Sequence, residues 1–365
     1  MNVPGALRFC RPLSYRNILR LRRAEFSRRL SSSKAHPPDS RTRVLANAVL
    51  IGAGGLVAAY LFWPSTYRGA PTVSRQSISP SHFTPVSVVA NEDCGRDLKL
   101  LTLNIPSHSL PDTSDSRLLD PIWSLFIKDD DIQVERPYTP LEGIDDQGNM
   151  KFWIKKYPNG EVGRWLHSKQ PGENVEMRGP LKTFPFHEEL SDEIIMISGG
   201  TGFSPFYQLL HRVLLQGSMK GDSPRFTLLH GSRTLAELPP AQYLQPLLDF
   251  SAAHPERLRI SLFVDDYADG KTAPSSHGLQ QGRIDAQAIR KAINRTEDQT
   301  SWWSALRRSF SKEHGPSSGN VIVLVCGPEP MVVAVAGPYG RNYSQGRVGG
   351  ILAGLGFKEG QVWKL

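Results

Sequence analysis

From Thr84 onward apolar residues come in short runs broken by turn residues, the pattern of a compact β domain. The runs are Pro85 to Asn91, Leu98 to Ile105, Leu119 to Ile127, Val134 to Tyr138, Met150 to Tyr157 and Asn174 to Gly179. Six strands at this spacing predict a small antiparallel barrel over residues 84–188. After Glu188 the pattern changes. Glu193 to Ser198 is a short apolar run, a glycine loop follows, and Phe206, Leu209, Leu210, Val213 and Leu214 then recur at helical spacing. Strand, glycine turn and amphipathic helix in that order predict a doubly wound, parallel-sheet α/β domain over residues 189–365. Arg225 to His230, Leu258 to Val264 and Val321 to Cys326 supply its further strands. Residues 269–282 and 296–320 are polar and Ser-rich, without a strand pattern, and read as insertions. In the second, Trp302, Leu306 and Phe310 share a helical face beside Trp303, Arg307 and Arg308, which fits a helix capping the core or one docked on a membrane or partner.

Upstream the pattern is different again. Val44 to Trp63 holds no charged residue in 20 positions, a helix of roughly 30 Å and hence one predicted transmembrane span over residues 44–63. Arg41 and Arg43 precede it, Tyr60, Phe62 and Trp63 crowd its far end, and Pro64 stops it. Residues 64–83 then read as a linker, since Ala70 to Pro85 is rich in Ser and Pro with no apolar period.

Charge sharpens the reading of the first 43 residues. They carry ten Arg and Lys34 against Glu25 and Asp39, a balance of +9 in a chain of net +8, so the rest sums to −1. An Arg-rich, Ser-rich, acid-poor leader has the composition of a mitochondrial transit peptide. A near-neutral body gives no footprint for nucleic acid, and none is expected as a partner. Cys10 lies in the leader, and Cys94 with Cys326 make neither a disulfide framework nor a zinc site, so no metal is expected.

The candidate chemistry sits in four segments. Arg136-Pro137-Tyr138-Thr139 offers a guanidinium, whose fixed fork of donors suits phosphate, and a hydroxyl. Gly160 to Gly163 is placed to open a helix whose free N–H groups form an anion site. Gly199-Gly200-Thr201-Gly202 lies between a strand and a helix, the context of a phosphate loop, with Ser204 expected as N-cap and Pro205 at N1. Cys326-Gly327-Pro328 ends the last long apolar strand, where ligands of open α/β sheets collect.

In this order the segments resemble the flavin and nicotinamide sites of the ferredoxin-reductase superfamily. Ile154 to Leu166 and Pro171 to Pro180 are similar to its cytochrome-b5-reductase branch. The resemblance implies an FAD-binding barrel, a nucleotide domain and hydride transfer from NADH or NADPH to FAD. It places Arg136 at the pyrophosphate, Tyr138 by the ribityl and isoalloxazine, and Thr139 near flavin N5. Lys155 and Tyr157 fall at the AMP half, and Gly160, Val162 and Gly163 at the pyrophosphate. Gly200, Thr201 and Gly202 match the nucleotide loop, Cys326 lies beside nicotinamide C4, and Gly327 and Pro328 let that ring approach. Thr139 and Cys326 are therefore the expected catalytic pair. Arg233 suits a 2′-phosphate, whereas Glu237 aligns with an acidic residue that favours NADH. One departure stands out, because Gly163 occupies a position where the family carries Ser or Thr.

The long tail, from Gly337-Pro338-Tyr339-Gly340 to Val362-Trp363-Lys364-Leu365, resembles that of fungal mitochondrial inner-membrane flavoproteins that support haem attachment to cytochrome c. That resemblance implies a reductase that keeps haem iron ferrous for the haem lyase of the intermembrane space, anchored in the inner membrane; a leader followed by an apolar stop puts the body in that space, with a matrix-facing body as the alternative. Cytochrome b5 is the alternative acceptor. An assembly factor with a catalytically weak flavin fold is the other reading, motivated by Gly163 and the insertions. Trp363 is expected either to belong to this tail or to pack by the flavin or nicotinamide face.

Overall fold

β2 (Leu98–Asn104) reads LKLLTLN, and its near-continuous apolar character has a structural cause: both its faces are covered. Leu101 and Leu103 point into a core shared with Phe152, Ile154, Val175 and Met177. Leu98 and Leu100 point the other way, into a second core with Phe203, Phe206 and Tyr207. This period-2 division joins two sheets into one unit spanning residues 69–365.

The computed structural model describes residues 70–111, 121–129, 133–186, 191–217, 224–266, 278–297, 320–341 and 344–365. The expected transit peptide (1–43) and membrane span (44–63) lie outside the described residues, as does most of the 296–320 insertion with its Trp302 face. Among the described residues no helix is long and apolar enough to cross a membrane.

The first sheet contains β1 (Thr84–Gly95), β2, β3 (Trp123–Lys128), β4 (Glu135–Tyr138), β5 (Asn149–Lys155) and β6 (Asn174–Lys182). Its order is β4-β3-β6-β1-β2-β5, and its pairs are antiparallel. The pairing does not close as the predicted barrel would, for β4 and β5 are its two edges. Val162 and Leu166 of helix α1 (Glu161–Ser168) join the core to which residues of both edge strands contribute.

The second sheet is parallel, in the order β10-β9-β8-β7-β11-β12. It is built from β7 (Glu193–Gly199), β8 (Arg225–Thr234), β9 (Leu258–Asp266), β10 (Leu279–Gln281), β11 (Val321–Cys326) and β12 (Val362–Lys364). The chain steps outward from β7 to β10, then returns to the other side of β7 with β11. The C-terminal ends of β7 and β11 thus flank the topological switch point, where an open α/β sheet leaves a crevice. Its helices are α2 (Ser204–Leu210), α3 (Ala241–Ala253), α4 (Ala286–Glu297), α5 (Glu329–Ala336) and α6 (Gly350–Gly354).

Three expectations are corrected. Residues 70–83 are no free linker: Ile78 is buried in the first core, its N–H bonds the Ser109 carbonyl, and Val73 and Phe83 are tied by backbone bonds. Residues 279–281, inside the expected 269–282 insertion, form β10 beside Leu262 to Val264. Ser204 is not the N-cap of α2, because a 3₁₀ turn over Gly200–Phe203 precedes it and Phe203 takes that place. The tail adds β12 next to β11, and Trp363 meets Phe184 edge-on at 5.3 Å between ring centroids, without itself lining the crevice.

Candidate functional site

A cavity of about 660 Å³ opens where the edges of the first sheet meet the switch point of the second, within the size range of small-molecule sites. One wall is Arg136, Tyr138 and Thr139 from β4 and its end. Beside it stand Lys155, Tyr157, Gly160, Val162 and Gly163 from β5 and the start of α1. The facing wall is Thr201 and Gly202 after β7 and Cys326, Gly327 and Pro328 after β11. The fold thus brings together residues up to about 190 positions apart. Gly200, Arg233 and Glu237 are not among the lining residues.

The flavin-side wall is rich in donors. Gly160 caps α1 without a side-chain hydrogen bond, so the first-turn N–H groups at the cavity carry no side-chain cap. Arg136 is exposed, and its Nη1 bonds the Glu135 carbonyl at 2.9 Å. Gly163 now has a local reason. A Cβ there would stand 3.2 Å from the Lys155 carbonyl oxygen and 3.9 Å from the Tyr138 hydroxyl. The helix start packs closely on β5, and glycine permits it while keeping the backbone donors. Burial pushes the Tyr138 phenol well above its ordinary range, against the pull of Arg136, so it stays a neutral donor.

The nucleotide-side wall is made mostly of backbone. A Cβ on Gly202 would be driven into the Cys326 carbonyl and would lie 2.7 Å from the Gly327 nitrogen. A Cβ on Gly199 would collide with the Met331 sulfur. The two glycine segments therefore touch main chain to main chain, which leaves a thin wall for a flat ligand to approach. Burial pushes the Cys326 thiol up to about 12, so it is a neutral, slim, polarizable group and not a thiolate nucleophile. Uncapped helix donors, an exposed guanidinium and a glycine-thin wall suit a dinucleotide pyrophosphate and two planar rings.

Arg233, Glu237 and Lys155 meet beyond the cavity wall. Glu237 takes 2.6 Å from Lys155 Nζ and 2.8 Å from Arg233 Nη2. Burial raises the Glu237 carboxyl, but hydrogen bonds from Arg233 and Lys155 outweigh it and hold it below the ordinary range. The expected split, Lys155 on FAD and Arg233 or Glu237 on the second nucleotide, becomes one cluster spanning both halves. Sequence reading also passed over Glu329 and Trp153, which line the cavity. The first directly follows Cys326-Gly327-Pro328 in the chain; the second lies on a strand whose facing no local signal reveals.

Residues 85–186 match the oxidoreductase FAD-binding domain family and residues 196–337 the oxidoreductase NAD-binding domain family. The chain is 27% identical to the NADH-cytochrome b5 reductase 2 of Coccidioides immitis over 346 residues, 91% of this chain and 94% of that one. It is 28% identical to the protein of the same name from Scheffersomyces stipitis, over 87% of this chain and 94% of the other. Among solved structures, the cytochrome b5 reductase domain of Ulva prolifera nitrate reductase superposes with a TM-score of 0.55 at 19% identity, covering 80% of this chain and 100% of that domain. An antiparallel flavin-side sheet, a parallel nucleotide-side sheet and a donor-lined cavity between them agree with both domain matches: the chain is an FAD-dependent NAD(P)H oxidoreductase of the ferredoxin-reductase type.

Proposed function

We propose that this oxidoreductase passes electrons from NAD(P)H through FAD to haem iron, in support of haem attachment to cytochrome c at the mitochondrial inner membrane. The carrying observation is a cavity that both halves line. The haem acceptor is supported by relatives named NADH-cytochrome b5 reductase 2. The inner-membrane setting rests on the leader, the apolar segment at 44–63 and the resemblance of the tail.

When bound, FAD supplies the ring that accepts a hydride and gives up its two electrons singly. The protein's part is positioning. Arg136 and the first-turn amides of α1 would hold the pyrophosphate, with Tyr138 available beside the ring and Thr139 offering a hydroxyl in the same wall. Thr201 and Gly202 would hold the second nucleotide, and Cys326, Gly327 and Pro328 would offer its ring a thin wall. The neutral thiol keeps charge and water away from the transfer path. One NADH and two ferric haems yield one NAD⁺, two ferrous haems and one proton.

Arg233 is already bonded to Glu237 through both Nε and Nη2, which favours NADH because a 2′-phosphate would have to compete with that carboxylate. Purified full-length protein loaded with FAD should lose its absorption near ~450 nm on anaerobic addition of NADH, and regain it with ferric haem in a ratio of two haems per NADH. Reoxidation by cytochrome b5 but not by haem would replace the acceptor. Flavin that neither nucleotide bleaches would overturn the reading.

A further inference from the structure

Lys155 ends β5 in the flavin half, and Glu237 lies in the turn after β8 in the nucleotide half. Their charges meet at 2.6 Å with side chains only 7% and 11% exposed. Beyond Glu237 the contacts continue inward. Ser232 Oγ donates to the Glu237 backbone carbonyl at 3.1 Å. Having spent its proton there, that hydroxyl accepts from His230 Nε2 at 3.0 Å. Nε2 therefore carries the ring proton, and Nδ1 accepts from the Ser198 hydroxyl at 2.8 Å. The histidine tautomer is assigned by its partners, and full burial keeps the ring neutral, its pKa lowered to about 3. Ser198 is followed at once by Gly199, the start of the nucleotide loop.

An unbroken path thus runs from the nucleotide loop through Ser198, His230, Ser232 and Glu237 to Lys155 on the flavin-side sheet. We propose that Glu237 is a positioning residue, holding β5 and the nucleotide loop at the separation that hydride transfer across the cavity requires. This rests on the reading that both nucleotides share that cavity. Neither Glu237 nor Arg233 need touch a ligand for it to hold.

The physical case is twofold. Removing Glu237 leaves the nearly buried Lys155 ammonium without its carboxylate, and removing Lys155 leaves Glu237 held only by Arg233 of its own half, so in either case the tie between the halves is lost. A misplacement of about 1 Å between reacting groups costs roughly 10²-fold in rate. The effect therefore falls on transfer within the complex more than on binding.

The test uses the full chain as Glu237→Gln, Lys155→Met and the double variant. Glutamine keeps the size of the side chain and leaves the backbone carbonyl that Ser232 uses, so the buried histidine path survives. With FAD loaded and NADH saturating, the anaerobic reduction rate should fall roughly 10²-fold in each single variant, while the Kd for NADH moves by no more than about 3-fold. The double variant should be no slower than the worse single one, since both break the same tie. In cofactor-free protein, Lys155→Met should speed amide exchange at residues 196–204, on the opposite sheet. Rates that multiply in the double variant, a change confined to Kd, or unaltered exchange at 196–204 would overturn the proposal. The exchange measurement needs neither flavin nor nucleotide, so it decides the tie even if the chain proves unable to oxidise NADH.

Discussion

The two walls of the cavity solve one problem, holding a dinucleotide, by opposite means. On the flavin side the donors are borne by a guanidinium and a helix start at the edges of an antiparallel sheet, where side chains reach out from β4 and β5. On the nucleotide side the site is mostly main chain, at the C-terminal ends of β7 and β11, with Gly202 against the Cys326 carbonyl and Gly327 against the Gly199 nitrogen. The first wall is a set of separable contacts, whereas the second is a fitted joint. Loss of a contact should weaken one ligand; a misfit in the joint should disturb the fold beneath it.

The largest effect is expected at Gly202. Gly202→Ala forces a methyl into the Cys326 carbonyl, and neither that strand end nor Gly327 can yield without moving β11. Overpacking of this kind costs about 1–3 kcal/mol, so thermal unfolding should begin several degrees earlier and NADH binding should be lost. A variant with wild-type Tm and intact NADH titration would show that the joint is looser than its geometry states.

Next in size is an acid limb belonging to the nucleotide side. His230 titrates at about 3 in the folded chain against an ordinary 6.5, because burial disfavours its charged form. The folded state then binds fewer protons than the unfolded one across that interval. This contribution to stability is fully present above about pH 6.5 and is lost as pH falls towards 3. Denaturant titrations from pH 7 to 4 should slope downward on acidification, and His230→Gln, which has no ring to protonate, should start less stable and fall less steeply. An identical slope in both would place the acid sensitivity elsewhere.

On the other wall Arg136→Ala should leave the fold intact, since the exposed guanidinium contacts the protein through the Glu135 carbonyl. A hydrogen bond to a charged group is worth about 1.5–3 kcal/mol, which corresponds to roughly 10–100-fold weaker FAD retention. Equilibrium dialysis of flavin against wild type measures it, with Arg136→Lys expected to recover part of the loss. Unchanged FAD affinity would remove Arg136 from the phosphate site.

The same contrast explains what was legible in the chain. The six flavin-side strands and the four long parallel strands each show an apolar run in sequence, and the glycine and cysteine segments fall at the ends the pattern predicts. β10 and β12 do not, because each is three residues long and is defined by its neighbour rather than by its own pattern. The Ser- and Pro-rich composition of residues 70–83 hid the buried side chains of Ile78, His82 and Phe83. Lys155 and Glu237 lie 82 positions apart, and only the docking of two sheets makes them partners.

The smallest effect separates the two walls most cleanly, because it repeats the substitution made at Gly202. Gly163→Ala puts a Cβ 3.2 Å from the Lys155 carbonyl, a contact that a shift of a few tenths of an ångström at the helix start relieves. Replacing glycine by alanine in a helix gains up to about 1 kcal/mol, of similar size to the crowding it introduces. Stability should therefore change little, and FAD affinity should stay within about 3-fold of wild type because the backbone donors remain. If Gly163→Ala proves as damaging as Gly202→Ala, the flavin wall is a fitted joint too, and the contrast between the halves fails.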